Sequence, residues 1–288
     1  MFSLLLTALM IPLGLELYMP VPEDNPLTLE KIELGRRLFF DRRLSRDSSI
    51  SCSSCHDPDH AFSDGRAVAV GISQRVGRRN APALVNRGYG RLFFWDGRIA
   101  TLEEQVLKPI EDPNEMDLPL EQASSRVGLD AMTMSRALAS FVRSLLSGDS
   151  PYDRFVSGDR AALSTQQELG LQIFRGKANC VACHVGPNFT DEALHNTGVA
   201  WRDGNFADHG AGQGRFKTPT LREVARTVPY MHDGSLATLE DVVEYYDAGG
   251  RANPSIDPEI RWLGLSPVEK RDLVAFLGAL SGRPPKSR

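Results

Sequence analysis

Two five-residue stretches decide how this chain is read: Cys52-Ser53-Ser54-Cys55-His56 and Cys180-Val181-Ala182-Cys183-His184. They use all four cysteines of the sequence. Two thiols three positions apart can bond the two vinyl groups of one haem, and the histidine that follows then lies under the iron as an axial ligand. A split zinc site, a redox dithiol and a disulfide framework are the rival readings. A zinc site usually places its cysteine pairs closer together, and none of the rivals needs histidine in the next position twice. The expectation is two covalently bound haem c groups, one on Cys52, Cys55 and His56, the other on Cys180, Cys183 and His184.

The segments around the two motifs repeat. Upstream, Glu33-Leu34-Gly35-x-x-Leu38-Phe39 matches Glu168-Leu169-Gly170-x-x-Ile173-Phe174, with apolar residues at helical spacing in both. One helix is predicted to lead into each haem site. Downstream, Pro82-x-Leu84 and Trp95-Asp96-Gly97-x-x-Ala100-Thr101-Leu102-Glu103-Glu104 correspond to Pro219-x-Leu221 and His232-Asp233-Gly234-x-x-Ala237-Thr238-Leu239-Glu240-Asp241, without a gap, at a constant offset of 137 residues. The chain is two copies of one unit.

In both copies the Asp-Gly turn is followed by Thr and, three positions later, an acidic residue, the pattern of a helix N-terminus with a capping box. Helices are predicted to start at Thr101 and Thr238, with Asp241 the weaker capping partner and Glu104 the stronger. Carrying the offset along pairs Gln105 with Val242 and Pro109 with Tyr246, positions four apart and so on one helix face. A small cytochrome c takes its second axial ligand from downstream of the haem motif. If this face covers the distal side of each haem, the second half offers the oxygen of Tyr246, while the first offers Pro109, which cannot bind iron. Tyr245 is adjacent, so the choice of tyrosine stays open on sequence alone. A packed aromatic and a proline that ends a helix turn are the plain alternatives.

A chain of 288 residues, 41% hydrophobic, is long enough for two ordinary domains. Its net charge of -4 gives no basic field of the kind that draws a protein to nucleic acid or anionic lipid. The expected fold is mainly α: two cytochrome c-like domains, residues 16–150 and 151–288, each binding one covalent c-type haem. They would join near Gly148 to Leu163, with Ser135 to Leu146 and Val268 to Leu280 as closing helices and few strands. Residues 1–15 form an apolar stretch of signal-peptide length with no Lys or Arg in front. The stretch falls short of the about 20 residues needed to span a bilayer. It reads either as a poor, truncated signal or as an apolar arm packed on the first domain. Covalent haem attachment belongs to oxidising compartments, so a periplasmic, exported location is expected.

From about Leu27 to Leu280 the sequence resembles the bacterial dihaem cytochrome c peroxidase superfamily, MauG-like members included. The resemblance rests on Cys52-Ser53-Ser54-Cys55-His56-Asp57-Pro58 followed by Ala61-Phe62-Ser63-Asp64-Gly65, Arg79-Asn80-Ala81-Pro82, Phe94-Trp95-Asp96-Gly97-Arg98, Lys108-Pro109-Ile110 with Glu115, and Pro229-Tyr230-Met231-His232-Asp233-Gly234. It implies that the His56 haem is the peroxide site, with Gln105 and Glu115 as distal polar residues, Pro109 beside the open position and Trp95 between the haems. The His184 haem would transfer electrons, with Tyr246 where typical peroxidases carry Met and MauG-like members carry Tyr. The resemblance also implies a calcium ion between the domains, held by Asn80 and the carbonyls of Thr227 and Pro229, and the homodimer typical of the peroxidases.

Two departures point to the MauG-like branch. Ala67 to Arg79 contains no His of the kind that plugs the peroxide haem in many peroxidases. An anionic tyrosine oxygen, replacing Met, lowers a haem's reduction potential. The expected activity is therefore reduction of hydrogen peroxide at the first haem. Electrons would come through the second from a small donor protein, a cytochrome c or cupredoxin, or from an oxidisable protein substrate. A dihaem electron carrier without chemistry of its own is the alternative. Trp95 is read as a relay and Glu115 as a proton shuttle. His60, His195 and His209 are read as structural or surface residues, and His232 has no role assigned beyond supporting the second haem.

Overall fold

The computed structural model describes residues 9–282. Among them are nine α-helices and four strands of two residues each, the helical class expected. None of these helices is long and apolar enough to cross a membrane. In the first half α1 (Leu29–Phe39) packs on α5 (Ala131–Ser144), and α2 (Leu102–Gln105), α3 (Lys108–Glu111) and α4 (Leu120–Val127) lie between them in sequence. After α6 (Pro151–Val156), the second half repeats the arrangement with α7 (Thr165–Arg175) on α9 (Pro267–Gly278) and α8 (Leu239–Asp247) against α9. The antiparallel pairs are β1 (Leu194–His195) with β4 (Phe216–Lys217) and β2 (Trp201–Arg202) with β3 (Asn205–Phe206).

The repeated glycine explains the repeated helix pair. A Cβ on Gly35 would stand 1.9 Å from the carbonyl oxygen of Ala137, and one on Gly170 would stand 1.9 Å from that of Asp272. Only hydrogen fits where α1 crosses α5 and where α7 crosses α9. The close crossing brings the same aromatics together in each half: Phe39 lies 5.0 Å from Phe141, and Phe174 lies 5.1 Å from Phe276. Each such ring, buried from water, stabilises its core by about 2 kcal/mol. One buried apolar core runs from Leu38 to Leu145 and a separate one from Leu163 to Leu280.

The described part of the N-terminal stretch packs as an arm. Leu15 and Met19 bury against Leu146, the Leu13 carbonyl accepts from the Asp149 N–H at 2.8 Å, and the Gly14 carbonyl accepts from Arg222 at 3.0 Å. Arg222 is fully buried and forms a bidentate ion pair with Asp153, so the arm closes over a buried charge pair. The rest of the expected signal, residues 1–8, lies outside the described residues.

The predicted helix starts at Thr101 and Thr238 are both present, but their caps differ from expectation. Thr238 Oγ1 accepts from the Asp241 N–H at 3.0 Å and Asp241 Oδ2 accepts from the Thr238 N–H at 3.0 Å, a complete capping box. Thr101 accepts from the Glu104 N–H at 3.2 Å without the return bond. The longer Glu104 side chain reaches forward to Lys108 instead, at 3.7 Å. The single helix expected across Gln105 and Pro109 is also divided into α2 and α3. Proline has no N–H for the Gln105 carbonyl, and its ring crowds that carbonyl.

Candidate functional site

Both Cys-x-x-Cys-His motifs form short 3-10 turns that open on one cavity of about 780 Å³ between the halves. Its wall includes Cys55 and His56 from the first motif and Cys180, Cys183 and His184 from the second. Burial favours the neutral side chains: Cys52 and Cys180 are pushed up to about 12, Cys55 to about 11, and both histidines are pushed down. The four thiols are free of disulfides. His56 Nδ1 donates to the Phe62 carbonyl at 2.9 Å, and His184 Nδ1 to the Phe189 carbonyl at 2.8 Å. A carbonyl can only accept, so Nδ1 carries the proton and Nε2 is left bare for a metal. Unbonded thiols, a bare Nε2 and a large neighbouring cavity, present twice, fit haem.

Sequence reasoning did not single out Phe62 and Phe189 for this task. Both take left-handed backbone angles, φ 62° and 52°, which are unfavourable for a side chain of that size. Each ring buries in the aromatic core of its half, which holds the carbonyl on the histidine. A shared Phe five or six residues after each motif was the available signal.

The distal walls differ. Gln105, Pro109 and Glu115 line the cavity from the first half. Burial, helped by the charge of Asp112, pushes the Glu115 carboxyl up to about 7. The loop that lacks the plugging histidine supports Glu115 from behind: Ile72 N–H donates to the Glu115 carbonyl at 2.8 Å, and a Cβ on Gly71 would stand 1.9 Å from the Asn114 oxygen. From the second half Tyr246 lines the cavity, its phenol pushed up by burial. Tyr245, the neighbouring choice, is committed elsewhere: its hydroxyl donates to the Thr197 carbonyl at 2.9 Å, and its ring packs edge-on against Tyr246.

Between the halves the repeat becomes a pseudo-twofold contact. Asn80 and Lys217 are equivalent positions, as are Trp95 and His232. The Asn80 N–H donates to the His232 carbonyl at 2.7 Å, and the Lys217 N–H donates to the Trp95 carbonyl at 2.7 Å. Such reciprocity, i to j and j to i, marks an isologous interface. Trp95 Nε1 also donates to the Asn80 carbonyl at 2.8 Å, which fixes the indole beside this contact. His232 stacks on Phe216 at 3.7 Å, and burial pushes it down to about 4. Asn80, Thr227 and Pro229 share the cavity wall, and the Asn80 amide reaches the carbonyls of Arg66 at 2.7 Å and Pro229 at 3.5 Å. Carbonyl and amide oxygens are the donor type a hard cation such as calcium takes, and here two of these carbonyls accept from the Asn80 NH2 group.

His195 corrects the sequence reading. It is bracketed by carboxylates, Asp191 at 2.9 Å from Nε2 and Asp257 at Nδ1, and its ligand atom lies within 4.8 Å of those of Asp191 and Cys183. That geometry is a metal-type set. Bonding Cys183 to a haem vinyl would take the thiolate out of it. Asp257 is far from His195 in sequence, which hid the pair. His60 faces only Asp57, at 3.3 Å.

A helical frame carrying two thiol-and-imidazole seats on one cavity defines a haem-binding redox protein built on an internal repeat. Residues 29–131 match the family described as di-haem cytochrome c peroxidase. The chain is 40% identical to the methylamine utilization protein MauG of Methylorubrum extorquens, over 92% of this chain and 82% of that protein. It is 36% identical to the cytochrome-c peroxidase IdrP2 of Denitromonas iodatirespirans, over 92% and 85%. Its fold superposes on the crystal structure of a MauG-like protein associated with microbial copper homeostasis with a TM-score of 0.84, at 35% identity and covering 95% and 93% of the two chains. The chain belongs to the di-haem cytochrome c peroxidase family. It is a haem peroxidase.

Proposed function

We propose that the chain holds one covalent c-type haem in each of two domains, residues 16–150 and 151–288, and reduces hydrogen peroxide in its first half without prior reduction. Bound haem supplies the iron at which peroxide is reduced. The observation that carries this reading is the unequal distal wall on an equal frame: Gln105, Pro109 and Glu115 on one side, Tyr246 on the other.

In this reading Cys52, Cys55, Cys180 and Cys183 form the thioethers, and His56 and His184 are proximal ligands. The Pro109 side chain, which has no donor atom, would offer no ligand to the first haem, and Tyr246 would offer its oxygen to the second. Glu115, its carboxyl pushed up to about 7 by burial, would accept a proton from one peroxide oxygen and return it to the other, and Gln105 would orient peroxide through its amide. Trp95, its indole held by the Asn80 carbonyl and its own carbonyl by the Lys217 N–H across the interface, relays electrons between the halves. Asn80 with the carbonyls of Thr227 and Pro229 would hold calcium. The protein works in the periplasm, draws electrons from a small redox protein or an oxidisable protein substrate, and pairs as a homodimer.

Rapid mixing of the diferric holoprotein with peroxide tests the reading. The haem spectrum should change at once in the wild type. Glu115→Gln should slow that change by roughly 10²–10⁴-fold. Only the carboxylate can accept the proton, so the wild-type rate should climb as pH rises through about 7 and the Glu115→Gln rate should stay flat. Two six-coordinate, low-spin haems that ignore peroxide would instead establish the electron-carrier alternative.

A further inference from the structure

A line of aromatic rings leads from the contact between the halves to the surface. It begins at Asn80, whose carbonyl holds the Trp95 indole and whose N–H donates to the His232 carbonyl. The His232 ring lines the cavity and stacks on Phe216 at 3.7 Å. A Cβ on Gly210 would stand 3.0 Å from the Phe216 ring, so glycine lets that ring press against the backbone beside His209. The His209 ring lies 6.1 Å from Phe206, and Phe206 lies 4.8 Å from Trp201, edge-on.

Local sequence builds the outer end. Asp203-Gly204 forms a two-residue turn with φ 49° and 80°, the positive pair that closes a tight hairpin. The register of β2 with β3 then sets Trp201 opposite Phe206. A Cβ on Gly214 would meet the Phe206 ring at 2.7 Å, so a second glycine seats this ring. Trp201 is half-buried, and residues 202–205 after it are exposed, which puts the indole at the surface. Trp262 is far more exposed, at 76%, yet packs against no other ring among the described residues.

We propose that Trp201 is the outer end of an electron path into the shared cavity, the point where a one-electron reductant refills the protein after peroxide is reduced. The inference rests on the relay proposed for Trp95 and carries it outward. Tryptophan suits the end position because its indole gives up an electron more readily than the rings of Phe206, His209 and Phe216, which form a packed bridge. The electron leaves the Trp201 indole inward and the indole N–H proton passes to water. A reductant at the surface returns the electron, and water returns the proton. Peroxide is the oxidant, as in any haem peroxidase.

Peroxide added to the holoprotein in air, with no reductant present, tests the path by peptide mass. A stranded indolyl radical adds dioxygen, so Trp201 should gain oxygen and Trp262, though more exposed, should not. Phe206→Leu removes the ring beside Trp201 and should cut its oxidation by about tenfold. Oxygen on Trp262 in place of Trp201, or haems that respond to peroxide while Trp201 stays intact, would overturn the proposal. A second measurement dispenses with peroxide: holoprotein with both haems reduced is oxidised from solution by a flash-generated ruthenium(III) polypyridyl complex. Trp201→Phe should slow oxidation of the haems by about tenfold, and Trp262→Phe should leave it unchanged. Equal rates in wild type and both variants count against the path. Haems inert to peroxide yet oxidised through Trp201 would sink the proposed activity and leave this assignment standing.

Discussion

The stretches Thr101 to Glu111 and Thr238 to Asp247 begin with the same capping residue and the same Leu-Glu pair, yet one ends as two helices of four residues and the other as one of nine. The proximal sides show no such divergence. Each has a glycine under a crossing helix, an aromatic cluster, and a phenylalanine carbonyl on its histidine. On the proposed reading, thioether attachment and an oriented imidazole would be demands of both haems, which accounts for the geometry held in both copies. The distal wall answers to what each iron must do. One substitution class there, proline for a side chain with a donor atom, divides the helix and brings no ligand atom of its own to that wall.

The largest expected effect comes from making the second distal wall that of a conventional peroxidase. Tyr246→Met replaces an anionic oxygen with a neutral thioether, which favours the reduced iron. The potential of the second haem should rise by on the order of 0.2 V, within the range axial ligands command. Spectroelectrochemistry of the holoprotein reads this directly. An unmoved potential would remove Tyr246 from the iron, and with it the distal contrast between the halves.

A smaller effect probes the frame the halves share. Helix propensity alone makes Gly→Ala in α1 or α7 a gain of about 1 kcal/mol. The added Cβ, however, would meet a backbone carbonyl at 1.9 Å at either Gly35 or Gly170, and a backbone atom inside a helix cannot swing away as a side chain can. Overpacking of this kind costs about 3 kcal/mol, so each variant should lose about 2 kcal/mol net. Thermal unfolding of the two holoproteins should show falls of several degrees and of similar size. A loss at only one of the two glycines would mean that the frames are less alike than their geometry.

Much of this arrangement was legible from sequence because it is local. The cysteine spacing, the glycine repeat and the threonine caps each depend on residues within one or two helical turns. The offset of the repeat made the pairing of Pro109 with Tyr246 visible as well. What was hidden depends on distant partners. His195 meets Asp257, and Lys217 and Arg87 meet on Glu192, across loops whose path no local pattern specifies. The break after Gln105 was local but underweighted, since the helical period of the flanking residues continues through it.

The smallest expected effect lies at the two caps, where side-chain length decides. Glu was expected to close its box better than Asp. In the structure the shorter Asp241 turns back to the Thr238 N–H, while Glu104 extends to Lys108, an exposed pair worth only a few tenths of a kcal/mol. The Thr238 cap therefore takes part in two bonds and the Thr101 cap in one. Asp241→Ala, which removes the return bond to the Thr238 N–H, should cost about 1 kcal/mol, and Glu104→Ala, which has no such bond to lose, a few tenths of a kcal/mol. Denaturant titration of the holoprotein would resolve the difference. Equal losses would show that the reciprocal bond adds nothing. A larger loss at Glu104 would instead place the greater dependence on this position in the half whose distal helix is already broken, where a turn of four residues has little else to hold it.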